Sequence, residues 1–459
     1  MPRTVAMLLG PATALLAWAL TRWALGDDPT ATASAHTAAI TAWCAVWWVL
    51  EPVPIPATSL LPAAAFPLLG VLKQPQITDA YGHKLILLFM GGFMLSKVME
   101  KSNTHRRLAL WIVRGVGAAG GRWMVLAFMI ASAGLSMWIS NTATVLMLLP
   151  VVVAVMHQSE DPKSLGLPLL LGVAYAASLG GLATPVGTPP NGVFLSIYEQ
   201  KTGIGWGFAK WMGMVLPVTA VMLPLVWLWL CRGLRGRHPL QLPAAEPWQP
   251  AQWRTLALVS TTGALWVSRP WWAEALSVAD HVHDSTVALV MVLAAFVVPS
   301  GRGDHDKLLD WETAVTIPWG ILLLFGGGLA IAEAFSASGL SQHVGGIFAQ
   351  LDVHPILLIG LICLCITFLT ELTSNTATAS ILMPILFTAA TSLGLAPEVL
   401  MLPAAISCSC AFMLPVATPP NAIVFSSGHV TIRQMAREGL ILNLIGVAVI
   451  TAWMSMRLL

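Results

Sequence analysis

The chain has 459 residues, 57% of them hydrophobic and 10% charged, with a mean hydropathy of +0.78 and a net charge of +2. Soluble domains carry about 25% charged residues, so water is not the solvent for most of this surface. The near-neutral balance gives nothing to hold nucleic acid or a strongly charged soluble partner.

In chain order the apolar segments are 5–21, 37–50, 56–72, 85–99, 124–156, 166–198, 211–231, 255–268, 285–299, 319–335, 354–389, 399–425 and 438–456. A spanning helix needs about 20 mostly apolar residues, which predicts an all-α polytopic membrane protein of about eleven transmembrane helices. The first segment follows Arg3, and no small-x-small cleavage site follows a short apolar core. It reads as a spanning helix, not a signal peptide. The less apolar stretches 101–119 and 337–349 read as helices lying in the membrane interface. Segments 124–156 and 354–389 are too long for one helix and too broken for two spans. Each is predicted to be a re-entrant hairpin, because non-helical backbone is tolerated at membrane depth where it lines a polar cavity. Segments 166–198 and 399–425 are interrupted by Thr-Pro-Pro-Asn, and proline should unwind both there.

These irregular places are duplicated. Ser140-Asn141-Thr142-Ala143-Thr144 recurs as Ser374-Asn375-Thr376-Ala377-Thr378, and each copy reaches a proline, Pro150 or Pro384. Pro185-Val186-Gly187-Thr188-Pro189-Pro190-Asn191 recurs as Pro415-Val416-Ala417-Thr418-Pro419-Pro420-Asn421. Small polar residues and helix breakers repeated inside apolar segments mark a transporter built from two structural repeats. A lone Ser-Asn-Thr would more often back-bond to carbonyls or pack at a helix contact. Four coincident copies favour a substrate site.

With the first hairpin entering from the cytoplasm, Arg3, Lys101, Arg106, Arg107, Arg114, Arg122, Lys163, Arg232, Arg235, Arg237, Arg254, Arg302, Lys307, Arg433 and Arg437 fall on the cytoplasmic side. Arg22, Lys73, Lys84, Lys201, Lys210, Arg269 and Arg457 fall opposite, as the positive-inside rule requires, and the N-terminus is cytoplasmic. Leu87-Leu88-Phe89-Met90-Gly91-Gly92 resembles Leu323-Leu324-Phe325-Gly326-Gly327-Gly328, but the two segments run in opposite directions, so the repeats are inverted. The glycine runs read as close-packing sites.

Segments 123–158, 164–198, 372–397 and 399–428 contain no Asp, Glu, Lys or Arg, and Glu371 is the one charge beside a motif. A ligand there meets hydroxyls, amides, and backbone N–H and C=O groups. Helix N-termini attract oxyanions, and unwound carbonyls with hydroxyls suit sodium. An anion held without Arg or Lys in a low dielectric needs a mobile counter-charge, which bound sodium supplies. Glu371 is a functional candidate or a backbone cap, and it is given no ligand role. The C-x-C pairs Cys363/Cys365 and Cys408/Cys410 read as small core residues in apolar helical runs. No H-E-x-x-H occurs, and no charged pair sits in the apolar segments, which argues against an intramembrane enzyme.

At these residues the chain resembles the divalent anion/sodium symporter family of dicarboxylate, citrate and sulfate carriers. The likeness rests on Trp48-Val49-Leu50-Glu51-Pro52-Val53-Pro54-Ile55-Pro56 with Leu60-Leu61-Pro62, on Glu371 to Thr378, and on Cys408-Ser409, Phe412, Pro415-Val416-Ala417, Asn421 and Ile423-Val424. The resemblance implies a homodimer in the inner membrane with an elevator mechanism. The scaffold would be 1–100 and 240–336. The transport domain would be 120–235 and 350–459. It implies sodium at Ser136, Ser140, Asn141 and Gly187, and at Thr370, Ser374, Asn375 and Ala417. It implies substrate contacts at Ser140, Asn141, Thr142, Thr188, Pro189, Ser374, Asn375, Thr376, Thr418 and Pro419. Two complete motifs suit the two carboxylates of a C4-dicarboxylate such as succinate, malate or fumarate. A sodium-independent exchanger and a sulfate or other oxyanion symporter remain as alternatives.

Overall fold

A computed structural model describes residues 3–116, 121–158, 162–234, 247–301, 303, 306–348 and 353–459. Arg235, Arg237 and Arg302, used above to orient the chain, lie outside the described residues, as do the ends of the two expected interfacial helices and the domain boundaries at 235, 240 and 350.

The first part of the chain forms α1 (Arg3–Leu25), α2 (Ala31–Leu50), α3 (Ile55–Thr58), α4 (Leu61–Leu68), α5 (Gln74–Tyr81), α6 (Lys84–Ser102) and the amphipathic α7 (Thr104–Val116). Next come α8 (Arg122–Ser136), α9 (Asn141–Gln158), α10 (Pro162–Leu182), α11 (Pro189–Thr202) and α12 (Phe208–Leu230). Then follow α13 (Pro250–Ala275), α14 (Asp284–Val297), α15 (Trp311–Ala314), α16 (Trp319–Ala337) and α17 (Leu340–Phe348). The chain ends with α18 (Pro355–Leu369), α19 (Asn375–Ser392), α20 (Glu398–Ser407), α21 (Pro419–Ser426) and α22 (Ile432–Leu458). Among the described residues the one isolated β contact is the antiparallel bridge between Pro299 and Lys307.

Seven helical runs are long and apolar enough to cross a membrane: α1, α2, the run 74–102, α10, α12, α16 and α22. The apolar helices of the two hairpins, α8–α9 and α18–α19, are shorter, and each pair turns back at its Ser-Asn-Thr motif. The expected breaks are also present. The helix α10 stops at Leu182 and α11 starts at Pro189, while α20 stops at Ser407 and α21 starts at Pro419. Proline at N1 lacks only an N–H that the first turn would leave unpaired, so Thr-Pro-Pro starts a helix as readily as it ends one.

Two expectations are corrected. Segment 56–72 is two short helices because Pro54, Pro56, Pro62 and Pro67 punctuate it. The pair Cys408/Cys410 is not inside a helix: Cys408 caps α20 and Cys410 lies in the unwound stretch beyond it.

Packing centres on α10, 94% of whose apolar window is buried. It runs through the first hairpin, against α8, α9 and α12. A Cβ at Gly180 would stand 2.2 Å from the Ala133 carbonyl oxygen, so the backbones of α10 and α8 touch only because residue 180 has no side chain. In the second half α22 makes the same approach. A Cβ at Gly439 would stand 2.0 Å from the Phe412 carbonyl oxygen. Outside the hairpins, α6 packs on α14 with Gly91 against Ala288. The helix α16 packs on α3, α4 and α5, with Gly326 against Tyr81 and Gly327 against the Ser59 backbone.

Candidate functional site

Four helices begin on the wall of one cavity of about 600 Å³: α9 at Asn141, α11 at Pro189, α19 at Asn375 and α21 at Pro419. Ser140, Thr188, Ser374 and Thr418, which precede those first turns, line it as well. Each helix N-terminus presents N–H groups without intrahelical partners and about half a positive charge. The Ser140 hydroxyl accepts from Ala143 N at 3.2 Å and Thr418 Oγ1 from Asn421 N at 3.3 Å. The Thr188 and Ser374 side chains cap nothing. The structure thus brings together all ten residues expected to contact substrate: Ser140, Asn141, Thr142, Thr188, Pro189, Ser374, Asn375, Thr376, Thr418 and Pro419.

The residues expected to hold cations fall in two layers. Ser140, Asn141, Gly187, Ser374, Asn375 and Ala417 are on the wall, while Ser136 and Thr370 are fully buried behind it. Ser136 Oγ donates to Asn141 Oδ1 at 2.5 Å, and Thr370 Oγ1 donates to Asn375 Oδ1 at 2.7 Å. Thr370 Oγ1 is also 2.9 Å from the Cys408 carbonyl oxygen. One hydroxyl proton cannot satisfy both acceptors, so this is an oxygen-rich corner.

The breaks are pinned from behind by matching contacts. Asn191 Nδ2 donates to the carbonyls of Gly181 (3.0 Å) and Thr184 (2.8 Å). Asn421 Nδ2 donates to those of Ala411 (3.1 Å) and Leu414 (3.0 Å), at the same sequence offsets. The last residue of each Thr-Pro-Pro-Asn motif therefore holds backbone in place and does not line the cavity. The second break has further supports. The buried carboxylate of Glu371 accepts from Met413 N and Leu414 N, both at 2.9 Å, and from Asn443 Nδ2 at 2.7 Å. Asn443 Oδ1 accepts from Phe412 N at 3.2 Å, and Tyr175 donates its hydroxyl to the Phe412 carbonyl at 2.6 Å. Glu371 thus serves as a backbone cap, and its partners lie too far along the chain for sequence proximity to reveal them.

The two halves have matched polar contacts but different surroundings. Val186 is 8% exposed, against Gly92 of α6, whereas its repeat mate Val416 is 76% exposed. Trp138, at the first hairpin tip, stacks with Phe208 and Trp266. Its counterpart Leu372 is 70% exposed on the cavity wall. The helix α11 is tied to α6 by Lys84–Glu199 at 2.7 Å and to α16 by Lys201, which donates to Ser336 Oγ at 2.6 Å and to the Ala332 carbonyl. By contrast, α21 packs on α9 and α10.

An all-helical apolar chain with two motif-tipped hairpins and two broken helices, whose N-termini meet at one polar cavity, is a secondary transporter built on inverted repeats. Residues 45–400 match the family model for citrate transporters. The sodium-dependent dicarboxylate transporter SdcS of Staphylococcus saprophyticus is 37% identical over 97% of this chain and 89% of its own length. The protein of the same name from Staphylococcus aureus strain USA300 is 38% identical over 90% of this chain and 84% of its own. The chain belongs to the divalent anion/sodium symporter family. In fold it is similar to the Alcanivorax borkumensis YdaH transporter (TM-score 0.62, 15% identity, 92% of this chain and 98% of that one). It is also similar to Neisseria gonorrhoeae MtrF (TM-score 0.60, 14% identity, 87% and 85%).

Proposed function

We propose that the protein carries C4-dicarboxylates such as succinate, malate and fumarate with sodium across the cytoplasmic membrane. The observation that carries this reading is the convergence of four helix N-termini on a cavity whose wall has no Lys or Arg among the described residues. Paired N-termini from the two repeats suit two carboxylates, one at Ser140-Asn141-Thr142 with Thr188 and Pro189, the other at Ser374-Asn375-Thr376 with Thr418 and Pro419. The names of the two staphylococcal relatives agree with this chemistry.

Sodium supplies the missing positive charge. Its proposed ligands are Ser136, Ser140, Asn141 and Gly187 in one repeat and Thr370, Ser374, Asn375 and Ala417 in the other. The hydroxyl–amide pairs at 2.5 Å and 2.7 Å support this, since hard cations take several oxygen ligands at once. Without a permanent ion pair, the anion leaves when sodium leaves.

The unequal burial of the repeats supports alternating access by an elevator. The transport domain, 120–235 and 350–459, would slide along the scaffold, 1–100 and 240–336. The interfacial helices 101–119 and 337–349 would connect them, with the chain as a homodimer and its N-terminus cytoplasmic. The docked Val186 and Trp138 and the exposed Val416 and Leu372 would exchange environments. Labelled succinate uptake into proteoliposomes, with external sodium or potassium, tests the function. Uptake only with sodium is expected. Uptake in potassium that needs preloaded dicarboxylate would make the protein an exchanger, and no succinate uptake by folded protein would refute the substrate assignment.

A further inference from the structure

A second cavity, of about 500 Å³, lies between α7, α12 and α13, with none of the four converging helix N-termini on its wall. Its long wall is one face of α13, where Leu256, Ser260, Gly263, Ala264 and Val267 recur at helical spacing. That face runs about 17 Å along the helix axis, close to one leaflet of a hydrocarbon core of about 30 Å. Small residues at 260, 263 and 264 make it a trough. Ser260, Ala264 and Val267 are exposed, so the trough is open at the side. Trp138 forms its inner wall, since a Cβ at Gly263 would stand 2.8 Å from the Trp138 ring. The same ring lines the polar cavity, so one side chain divides the two spaces. The end of the trough nearest α7 differs in chemistry. Thr104 and Leu108 line it, and Arg107 lies on the same helical face, three residues after Thr104. The Arg107 guanidinium is 5.8 Å from the Trp248 ring, just before α13. Arg106 beside it is exposed, α7 has no acidic residue, and Glu100, Asp306 and Asp310 are held by Lys97 and Lys101. Thr255, fully buried on the same wall, has a hydroxyl without a hydrogen-bond partner among the described residues.

We propose that this trough is a binding site for an anionic phospholipid, with one acyl chain along α13, an ester oxygen at Thr255 and the phosphate at Arg106 and Arg107. An apolar trough of leaflet length, open to the side in a membrane protein, takes hydrocarbon. The unpaired Thr255 hydroxyl is destabilising when buried, and an ester carbonyl that accepts from it relieves that and fixes the depth of the lipid. Arginines on an amphipathic helix at the membrane surface select a negatively charged headgroup, by roughly 5-fold for each basic residue. Trp138, held in its stack with Phe208 and Trp266, keeps the chain out of the polar cavity.

The test is native mass spectrometry of purified full-length protein, reading the affinity of the first bound lipid. The probes are dioleoyl phosphatidylglycerol, dioleoyl phosphatidylcholine and dihexanoyl phosphatidylglycerol, which separate headgroup charge from chain. Long-chain phosphatidylglycerol is expected to bind about 25-fold more tightly than phosphatidylcholine, and the dihexanoyl lipid only weakly. Ala264→Phe, at an exposed position, fills the trough and should remove the tight phosphatidylglycerol. Ala257→Phe, exposed on the same helix but outside the trough, should keep it. Arg106→Gln with Arg107→Gln should bring phosphatidylglycerol level with phosphatidylcholine and leave phosphatidylcholine unchanged. Wild-type protein without preference between the two long-chain lipids, dihexanoyl lipid bound as tightly as dioleoyl, or Ala264→Phe that keeps the tight lipid would each overturn the proposal. Dimerisation lost in Ala264→Phe and kept in Ala257→Phe would place a second copy in the trough, and also overturn it. Should Ala264→Phe fail to fold, the arginine pair decides alone, and an unchanged preference there refutes the site. Succinate plays no part in this assay, so the site and the transport reading stand or fall separately.

Discussion

Replacing Glu371 with alanine removes the carboxylate that holds the second break. Three donors then lose their acceptor: Met413 N, Leu414 N and Asn443 Nδ2, previously at 2.9, 2.9 and 2.7 Å. A buried donor left unpaired costs about 1–3 kcal/mol, so the loss is about 2–6 kcal/mol even if water reaches one of the three. That is a large share of the roughly 5–15 kcal/mol by which folded proteins exceed their unfolded states. Glu371→Gln keeps the volume and one acceptor oxygen but turns an NH₂ toward a donor, so about 2 kcal/mol is expected. The assay is thermal unfolding in detergent, with and without sodium, and the expected order of stability is wild type, Gln, Ala. The break also carries Ala417 and adjoins the Cys408 carbonyl beside Thr370. Loosening it should therefore raise the sodium concentration needed for half-maximal stabilisation. Glu371→Gln and Asn443→Leu should be non-additive, because the two side chains share a hydrogen bond. Alanine at 371 melting with the wild type, or glutamine less stable than alanine, would refute the capping role.

Asn141→Ala and Asn375→Ala should each reduce sodium-dependent succinate uptake by about 10- to 100-fold, the value of one hydrogen bond to a charged ligand. Each protein should still elute as a single folded species, because both residues sit at the start of a helix on the cavity wall. Full transport by either variant would remove that asparagine from the proposed site. Gly180→Ala should destabilise by about 1–3 kcal/mol, since its Cβ would stand 2.2 Å from the Ala133 carbonyl oxygen. Gly134→Ala on the neighbouring helix has nothing within 4 Å and should melt with the wild type.

Some of this architecture is legible in the sequence because its causes are local. Thr-Pro-Pro breaks and restarts a helix within a few residues, and Ser-Asn-Thr marks a turn by its own composition, so both breaks and both hairpin tips can be located from the chain alone. Helix count is less legible. Segment 56–72 has enough apolar residues for a span, but its prolines divide it, and hydropathy alone does not register the division. The least legible features depend on distant partners. Glu371 finds Asn443 only after the second hairpin has folded against α22, and the place of Glu51 on the cavity wall depends on residues from both repeats.

The asymmetry between the repeats has a different origin. Pro185-Val186 and Pro415-Val416 are the same two residues in the same motif, yet one valine is buried and the other bare. Local sequence preference cannot cause that difference, so it comes from where each half sits against α6, α13 and α16. The hydroxyl–amide pairs at the site, Ser136–Asn141 and Thr370–Asn375, and the contacts of Asn191 and Asn421 that pin the breaks recur in both repeats. The apolar surfaces that face the rest of the protein are unequal. A carrier needs a site of fixed geometry and a docking surface with two arrangements. On the alternating-access reading, duplicated polar motifs keep the site constant while Val186 and Trp138 give up their places and Val416 and Leu372 gain equivalent ones. An apolar valine bare in one state and buried in the other costs about 1.5–3 kcal/mol to expose. Duplication places such a valine in each half, so what one half loses on moving the other regains, and neither arrangement is strongly preferred.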